Sequence, residues 1–131
     1  MKLILYTLLL AALSQHAIAG DIVHSPLSIV NQRMDSYNRH DLKSFLSTYS
    51  EEIQVYTYPD KQLAKGKENL ASIFAPMFKE QSVHVTIHYQ IEKDSYVINH
   101  ETVEYAGKKT KYVSIYKVVN GLITEVRFVR D

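Results

Sequence analysis

The second half of the chain alternates between apolar and polar residues. Between positions 83 and 91 the apolar residues are Val83, Val85, Ile87, Tyr89 and Ile91. A period of two is typical of a β-strand with one buried face, and it recurs three more times before Arg130. The pairs Asp94-Ser95, Gly107-Lys108 and Asn120-Gly121 separate the four segments. Because Asn-Gly favours the positive φ angles of a tight hairpin turn, the pattern predicts an antiparallel meander.

Counting outward from these turns predicts the register of the meander and its inner face. Tyr89 is placed opposite His100, His100 opposite Ile115, and Ile115 opposite Val126. His100 then lies on the inner face among mostly apolar residues, which are Val85, Ile87, Tyr89, Ile98, Thr102, Val113, Ile115, Val126 and Phe128. The outer face carries a polar row consisting of His88, Glu101, Ser114 and Arg127. A slip of one residue in any hairpin would reverse the strands beyond it.

The first half of the chain shows helical spacing. Ser25 and Pro26 are typical of a helix start, since serine accepts from the free N–H groups and proline lacks one. Apolar residues then recur every three or four positions, at Leu27, Val30, Met34 and Tyr37. Asp41 is the predicted N-cap of a second, short helix that runs through Tyr49.

A strand and a third helix follow. Residues 53–58 are β-branched and aromatic and precede Pro59, which predicts a strand that ends in a loop. The third helix follows Gly66, and Pro76 within it predicts a kink or an early stop near Ala75. The whole order predicts an α+β domain with three helices gathered on one face of a bent sheet.

The N-terminus has the pattern of a secretory signal peptide. Lys2 precedes an apolar run at positions 3–13 that is too short to span a bilayer, and small residues follow at Ala17 and Ala19. We expect cleavage after Ala19, a single domain at residues 20–131, and a secreted or periplasmic protein. An uncleaved membrane anchor is the alternative.

Composition limits the chemistry. The chain has no cysteine, so disulfides, thiolate catalysis and cysteine-bound metals are excluded. A net charge of +1 does not favour nucleic-acid binding. His84 and His88 have a spacing that suits a metal, and Glu101 is placed beside His88, but no further ligand is evident on that face. We therefore expect no metal and no cofactor.

Several short strings resemble one family. They are Tyr37-Asn38-Arg39-His40-Asp41, Val55-Tyr56-Thr57-Tyr58-Pro59, Gly66-Lys67-Glu68, Val97-Ile98-Asn99-His100-Glu101 and the stretch from Ile115 to Ile123. With the order of elements, they resemble the SnoaL-like, or nuclear transport factor 2-like, superfamily over residues 26–130. The resemblance implies a curved, mixed sheet that wraps the first helix to form a cone with a pocket. It does not fix the function, because this scaffold hosts isomerases, cyclases, dehydratases and binding modules.

The resemblance also argues against one reaction. The ketosteroid isomerases of this superfamily use an aspartate base, which falls here on Thr57 or Tyr58. Their helix tyrosine falls near Arg33 and their late aspartate near Ile115. None of the three is retained, so chemistry of the aspartate-base type is not expected. Whether Asp60 or Glu104 reaches the pocket stays open.

Candidate site residues follow from the predicted inner face. His100 is the candidate catalytic proton carrier, and a core histidine with satisfied nitrogens is the alternative. Arg33 either binds an oxygen of a ligand or pairs with a surface acid. The predicted pocket residues are Arg33, Tyr56, Tyr58, Tyr89, Ile115 and Phe128.

Two functions remain open from the sequence. The first is an enzyme of the isomerase, cyclase or dehydratase type that acts by acid/base chemistry on a small hydrophobic carbonyl compound. The second is a non-catalytic module that binds a small ligand or a protein. We expect a homodimer through the outer sheet face in either case.

Overall fold

The structure, a computed structural model, describes residues 24–130. This part of the chain forms one curved sheet and three helices. The elements are α1 Pro26–Asn38, α2 Leu42–Ser47, β1 Tyr49–Thr57, β2 Lys61–Lys65, α3 Lys67–Lys79, β3 Val83–Lys93, β4 Tyr96–Tyr105, β5 Lys108–Val119 and β6 Leu122–Val129. The strand order is β2-β1-β6-β5-β4-β3. Only β1 and β6 are parallel neighbours within this sheet. The predicted α+β cone with a mixed sheet is confirmed.

The predicted signal peptide at residues 1–19 lies outside the described residues. Within residues 24–130, no helix combines the length and the apolar character that crossing a bilayer requires.

Side-chain caps start the first two helices as predicted. The Ser25 side chain accepts a hydrogen bond from the backbone N–H of Ser28 at 3.1 Å, and Pro26 is the first helical residue. Asp41 accepts in the same way from Ser44 at 3.1 Å. The second helix is shorter than predicted, because Tyr49 already begins β1.

Two features in the middle of the chain differ from what the sequence predicts. Strand β2 was not foreseen, since its sequence, Lys61–Lys65, contains no β-branched residue. Helix α3 does not stop near Ala75 but continues through Pro76 to Lys79. Pro76 and Ser72 are both exposed, so the Ser72 carbonyl that loses its helical partner can bond to water instead.

Two bulges decide which residues face the helices. In β3, Ile87 pairs with Glu101 but Tyr89 pairs with His100, so His88 is an extra residue. In β6, Ile123 pairs with Val118 but Glu125 pairs with Lys117, so Thr124 is extra. Each extra residue reverses the side chains beyond it. The two reversals exchange the predicted inner and outer faces of β4 and β5. The start of β3 and the end of β6 present the faces that were predicted.

The predicted register is therefore correct only in part. The pair Tyr89–His100 is confirmed. His100 pairs with Val113 rather than Ile115, because the turn lies at Ala106-Gly107, one residue before the predicted one. Ile115 pairs with Arg127 rather than Val126, because of the bulge in β6.

The inner and outer faces are exchanged in the middle of the meander. Val85, Val126 and Phe128 lie on the inner side with Ile87, as predicted. The residues of β4 and β5 predicted to be buried lie instead on the outer side, namely Ile98, His100, Thr102, Val113 and Ile115. Tyr89 is also on the outer side and is 73% exposed. Glu101 and Ser114, predicted to be outside, are buried.

An aromatic cluster joins the three helices. The rings of Tyr37, Phe45, Phe74 and Phe78 lie within 4.8–6.2 Å of one another. Tilted and edge-to-face contacts of this kind add to the gain from burial. The cluster fixes Tyr37 and Phe74 where α1 and α3 approach the sheet, and both residues then line a cavity.

Candidate functional site

A cavity of about 240 Å³ lies between α1, α3 and the inner face of the sheet. Its lining residues are Arg33, Tyr37, Phe74, Met77, Val83, Val85, Glu101, Val103, Tyr105, Tyr112, Phe128 and Arg130. Most of this lining is aliphatic or aromatic, and two of the charged residues, Arg33 and Glu101, are buried. An apolar pocket with a few convergent polar groups is the usual form of a small-molecule site.

Arg33 on α1 brings a buried positive charge to this cavity. The side chain is 4% exposed, and its guanidinium carbon lies 5.1–5.3 Å from the centroids of the Tyr37, Phe45 and Tyr116 rings. Nε donates to Tyr49 Oη at 2.6 Å and Nη1 contacts Met34 Sδ at 3.2 Å. A guanidinium has five N–H donors, so donors remain for a ligand in the cavity.

The neighbours of Arg33 keep it charged. Burial by itself lowers the pKa of Arg33, but attraction to the oxygens of Tyr116, Tyr49 and Glu101 outweighs this effect and holds the pKa above its ordinary value. Arg33 is therefore a cation at neutral pH.

Glu101 on β4 brings a carboxylate to the same cavity. It is 1% exposed. Its Oε1 accepts a hydrogen bond from Ser114 Oγ at 2.6 Å, and its Oε2 accepts from Asn99 Nδ2 at 3.4 Å. Each carboxylate oxygen has two acceptor positions, so Glu101 can still accept a proton from a ligand.

A chain of amide groups orients Glu101. Asn99 Oδ1 accepts from Gln90 Nε2 at 3.0 Å, and Gln90 Nε2 also donates to Asn31 Oδ1 at 2.9 Å. Because the oxygen of Asn99 is held by Gln90, its amino group is directed toward Glu101. The chain leads from the buried carboxylate to the half-buried residues of α1 and β3.

Three tyrosines around Arg33 are held in the neutral form. Burial raises the pKa of Tyr37 to about 12, although Arg33 acts in the opposite direction. Burial likewise raises the pKa of Tyr49 and, more strongly, that of Tyr116. Among residues 24–130, the buried Oη atom of Tyr116 has no hydrogen-bond partner.

The arrangement suits a ligand with one oxygen in an otherwise apolar body. Arg33 supplies N–H donors for that oxygen, and Glu101 supplies an acceptor for a proton next to it. Both groups act more strongly in an apolar cavity than in water. A carbonyl compound that can form an enolate matches both.

The structure brings only two of the predicted pocket residues to this cavity, Arg33 and Phe128. Tyr89 and Ile115 lie on the outer face, as does Tyr56, which packs against Arg127 at 4.2 Å. Tyr58 follows β1 and is 56% exposed. The functional roles predicted for these residues are not tested by this geometry, but their predicted position in one pocket is wrong.

His100 is also outside the cavity. It stacks on Tyr89 with 6.1 Å between ring centroids and lies near His88 on the outer face. Its predicted role as proton carrier depended on an inner position, and that premise is wrong. Glu104 likewise lies on the outer face, beside His84 and Lys109, and Asp60 is an exposed residue of the turn between β1 and β2.

Sequence reasoning missed Glu101 because it assigned that residue to the outer polar row. Asn99, two residues earlier on the same face of the strand, was a usable signal for its burial. Two polar side chains on one face can be buried together when they hydrogen-bond to each other. For residues 24–130, no group of three or more histidine, aspartate or glutamate side chains is placed to hold a metal ion.

Comparisons with known proteins agree with the fold. The model of the SnoaL-like domain matches residues 30–126. A search of curated protein sequences gave no match. Three similar solved structures are each at most 21% identical to this chain, so their similarity shows the fold alone.

An uncharacterised cystatin-fold protein from Novosphingobium aromaticivorans is 21% identical, with a TM-score of 0.75 over 81% of this chain and 98% of that one. A nuclear transport factor 2-like protein of unknown function from Cytophaga hutchinsonii is 16% identical, with a TM-score of 0.73 over 82% and 90%. An LEH-like epoxide hydrolase from M. tuberculosis is 15% identical, with a TM-score of 0.68 over 81% and 82%.

Proposed function

The chain belongs to the SnoaL-like domain family, and from that premise we propose that it is an acid/base enzyme acting on a small, largely apolar carbonyl compound. The observation that carries the proposal is the convergence of Arg33 and Glu101 on one apolar cavity. The reaction class is isomerase-, cyclase- or dehydratase-like. Glu101 replaces His100 as the proposed proton carrier.

The proposed step is removal of a proton from the carbon next to the carbonyl. The C–H bond breaks, its proton passes to the Glu101 carboxylate, and the electron pair forms a C=C bond as the carbonyl oxygen becomes negative. The N–H groups of Arg33 stabilise that oxygen. Return of the proton to the same or another carbon completes an exchange or an isomerisation.

Exchange of hydrogen for deuterium tests this step directly. The protein is incubated with 2-butanone or cyclopentanone in deuterated water, and loss of the α-proton signals is followed by NMR. We expect protein-dependent exchange, and its loss in Glu101→Gln. Glu104→Gln is the matched control, since Glu104 is a carboxylate of the same strand on the opposite face.

The two variants give opposite expected results. Exchange by Glu104→Gln at the wild-type rate, with none by Glu101→Gln, supports the proposal. Equal exchange by Glu101→Gln and wild type would remove Glu101 from the chemistry and overturn it.

A non-catalytic binding module is the second candidate function. It is favoured by the hydrogen bonds from Ser114 and Asn99, which already occupy one acceptor position on each Glu101 oxygen. Saturation-transfer NMR separates the two candidates. Binding of these ketones without any exchange supports the binding module and contradicts the enzyme.

We further propose that the protein is exported and forms a homodimer through the outer face of the sheet. Export is supported by the signal-peptide pattern of residues 1–19, and its test is the N-terminus of the protein from its native host. A start at Gly20 is expected, and a start at Met1 would contradict export.

The dimer is supported by the exposed apolar residues Tyr89, Ile91 and Val113 on the outer face of the sheet.

A further inference from the structure

A second cavity of nearly the same size lies beside the first. It has a volume of about 270 Å³ and is enclosed by α3, β1, β2 and the end of β6. The residues found only in this cavity are all aliphatic: Val55, Leu63, Ala64, Leu70 and Ile73. These five side chains therefore suit an apolar group and offer no hydrogen-bond partner to a polar one.

A thin wall of side chains separates the two cavities. Phe74 and Met77 of α3 and Phe128 of β6 line both of them, and Arg130 stands at both margins. All three wall residues are only partly buried and pack against the edge of the core. Met77 has three rotatable bonds and adapts its shape readily, so a change of its rotamer can connect the two spaces.

The two cavities differ in chemistry. The first contains the buried Arg33 and Glu101, whereas the described residues that line the second include no charged group apart from Arg130 at its margin. A ligand that fills both must have a polar end and an apolar end. Its polar end belongs at Arg33, because a buried polar group without a partner is costly in the second cavity.

We propose that the two cavities form one site for a carbonyl compound with an extended apolar tail, and that the aliphatic cavity selects the length of the tail. The inference rests on the proposed function, because the carbonyl end is placed at Arg33 and Glu101. The substrate class is then a linear acyl or alkyl ketone with its carbonyl near one end. The wall of Phe74, Met77 and Phe128 lies around the middle of the bound chain.

A series of methyl ketones of increasing length tests the proposal. Dissociation constants of 2-butanone, 2-hexanone, 2-octanone and 2-decanone are measured with the full chain by NMR titration. Each methylene that enters the second cavity should tighten binding by up to about fourfold. The gain should stop once the cavity is full.

A variant that closes the second cavity separates this effect from general hydrophobicity. Ile73 lines only that cavity and is 38% exposed, so Ile73→Trp can fill the space from its margin. Leu122→Trp is the matched control, because Leu122 is 37% exposed at a hairpin and lines neither cavity. Ala64→Leu fills the same cavity from the sheet side, and far-ultraviolet circular dichroism confirms that each variant is folded.

The proposal requires that Ile73→Trp and Ala64→Leu bind 2-butanone as the wild type does but lose the gain in affinity for longer ketones. Leu122→Trp should keep that gain. Equal binding of 2-butanone and 2-octanone by the wild type would overturn it, as would an undiminished gain in Ile73→Trp. In either case, 2-butanone binding that is lost in Arg33→Met still supports the proposed function. Failure of every ketone to bind would overturn both.

Discussion

The clearest test of the site is the electrostatic coupling between Arg33 and Glu101. The ion pairs formed among residues 24–130 do not include these two residues, so their charged atoms lie more than 4.0 Å apart. At an effective dielectric constant of about 20, two unit charges attract by about 4 kcal/mol at 4 Å and by about 2 kcal/mol at twice that distance. We therefore expect a coupling energy of about 2 kcal/mol and not more than about 4 kcal/mol.

A double-mutant cycle measures this energy. Arg33→Met and Glu101→Gln each leave the other residue as a buried charge without its counterpart, so each single variant should be destabilised. The double variant should regain about 2 kcal/mol relative to the sum of the two. Urea unfolding at neutral pH, followed by circular dichroism, gives the four free energies of unfolding.

The control cycle uses a cation and a carboxylate outside the cavity. Lys65 is an exposed residue of β2, and Glu104 lies on the outer face of β4, with β1, β6 and β5 between the two strands. Lys65→Met and Glu104→Gln should be additive within about 0.5 kcal/mol, as is usual for distant sites. A coupling for Arg33 and Glu101 that is no larger than this control would refute the reasoning.

Three further predictions concern a turn, the buried phenols and the outer face. Gly121 has a φ of +75°, and a Cβ added there would meet open space. Gly121→Ala should therefore lower the stability only through backbone strain, by about 1 kcal/mol. An unchanged midpoint of urea unfolding would contradict this. In a phenolate absorbance titration, the difference between wild type and Tyr37→Phe should appear near pH 12 rather than 10.0. Because the folded-state pKa of Tyr37 is the higher one, its contribution to stability should be full below pH 10.0 and fall as the pH rises through about 12. Tyr89→Glu should make the proposed dimer monomeric in sedimentation, since an unpaired carboxylate is costly in an interface. Tyr58→Glu should leave it unchanged, because Tyr58 is an exposed turn residue after β1, and three strands separate β1 from the β3 strand that carries Tyr89. A dimer in both variants would place the interface elsewhere.

Local signals in the sequence were sufficient for most of the architecture. Ser25 and Asp41 cap their helices through side-chain hydrogen bonds to residues three positions later, and such contacts depend on neighbouring residues alone. Asn120-Gly121 forms its turn for the same reason, with both residues at positive φ. The early stop predicted at Pro76 is wrong because the cost of a proline depends on solvent access at the Ser72 carbonyl, which a sequence pattern does not report.

The interior of the site could not be predicted, because it depends on two bulges without a sequence signature. His88 and Thr124 are ordinary strand residues, and no glycine accompanies them. The outer face of β4 and β5 is also apolar, with Ile98, Val113 and Ile115, so hydrophobicity alone favoured the wrong side. Arg33 was found because helical spacing placed it beside the apolar stripe of α1, independently of the sheet register.

The paired bulges have a consequence for how this protein can change over evolution. Loss of His88 alone would make Ile87 and Tyr89 neighbours in the chain, as they already are in the ladder opposite Glu101 and His100, so the following hairpin would keep its orientation. Pairing of His88 as an ordinary strand residue would instead turn that hairpin over, moving an imidazole to the centre and a carboxylate to the exterior. The identity of the proposed proton carrier thus depends on whether one residue is bulged or paired, while every amino acid of β4 stays unchanged.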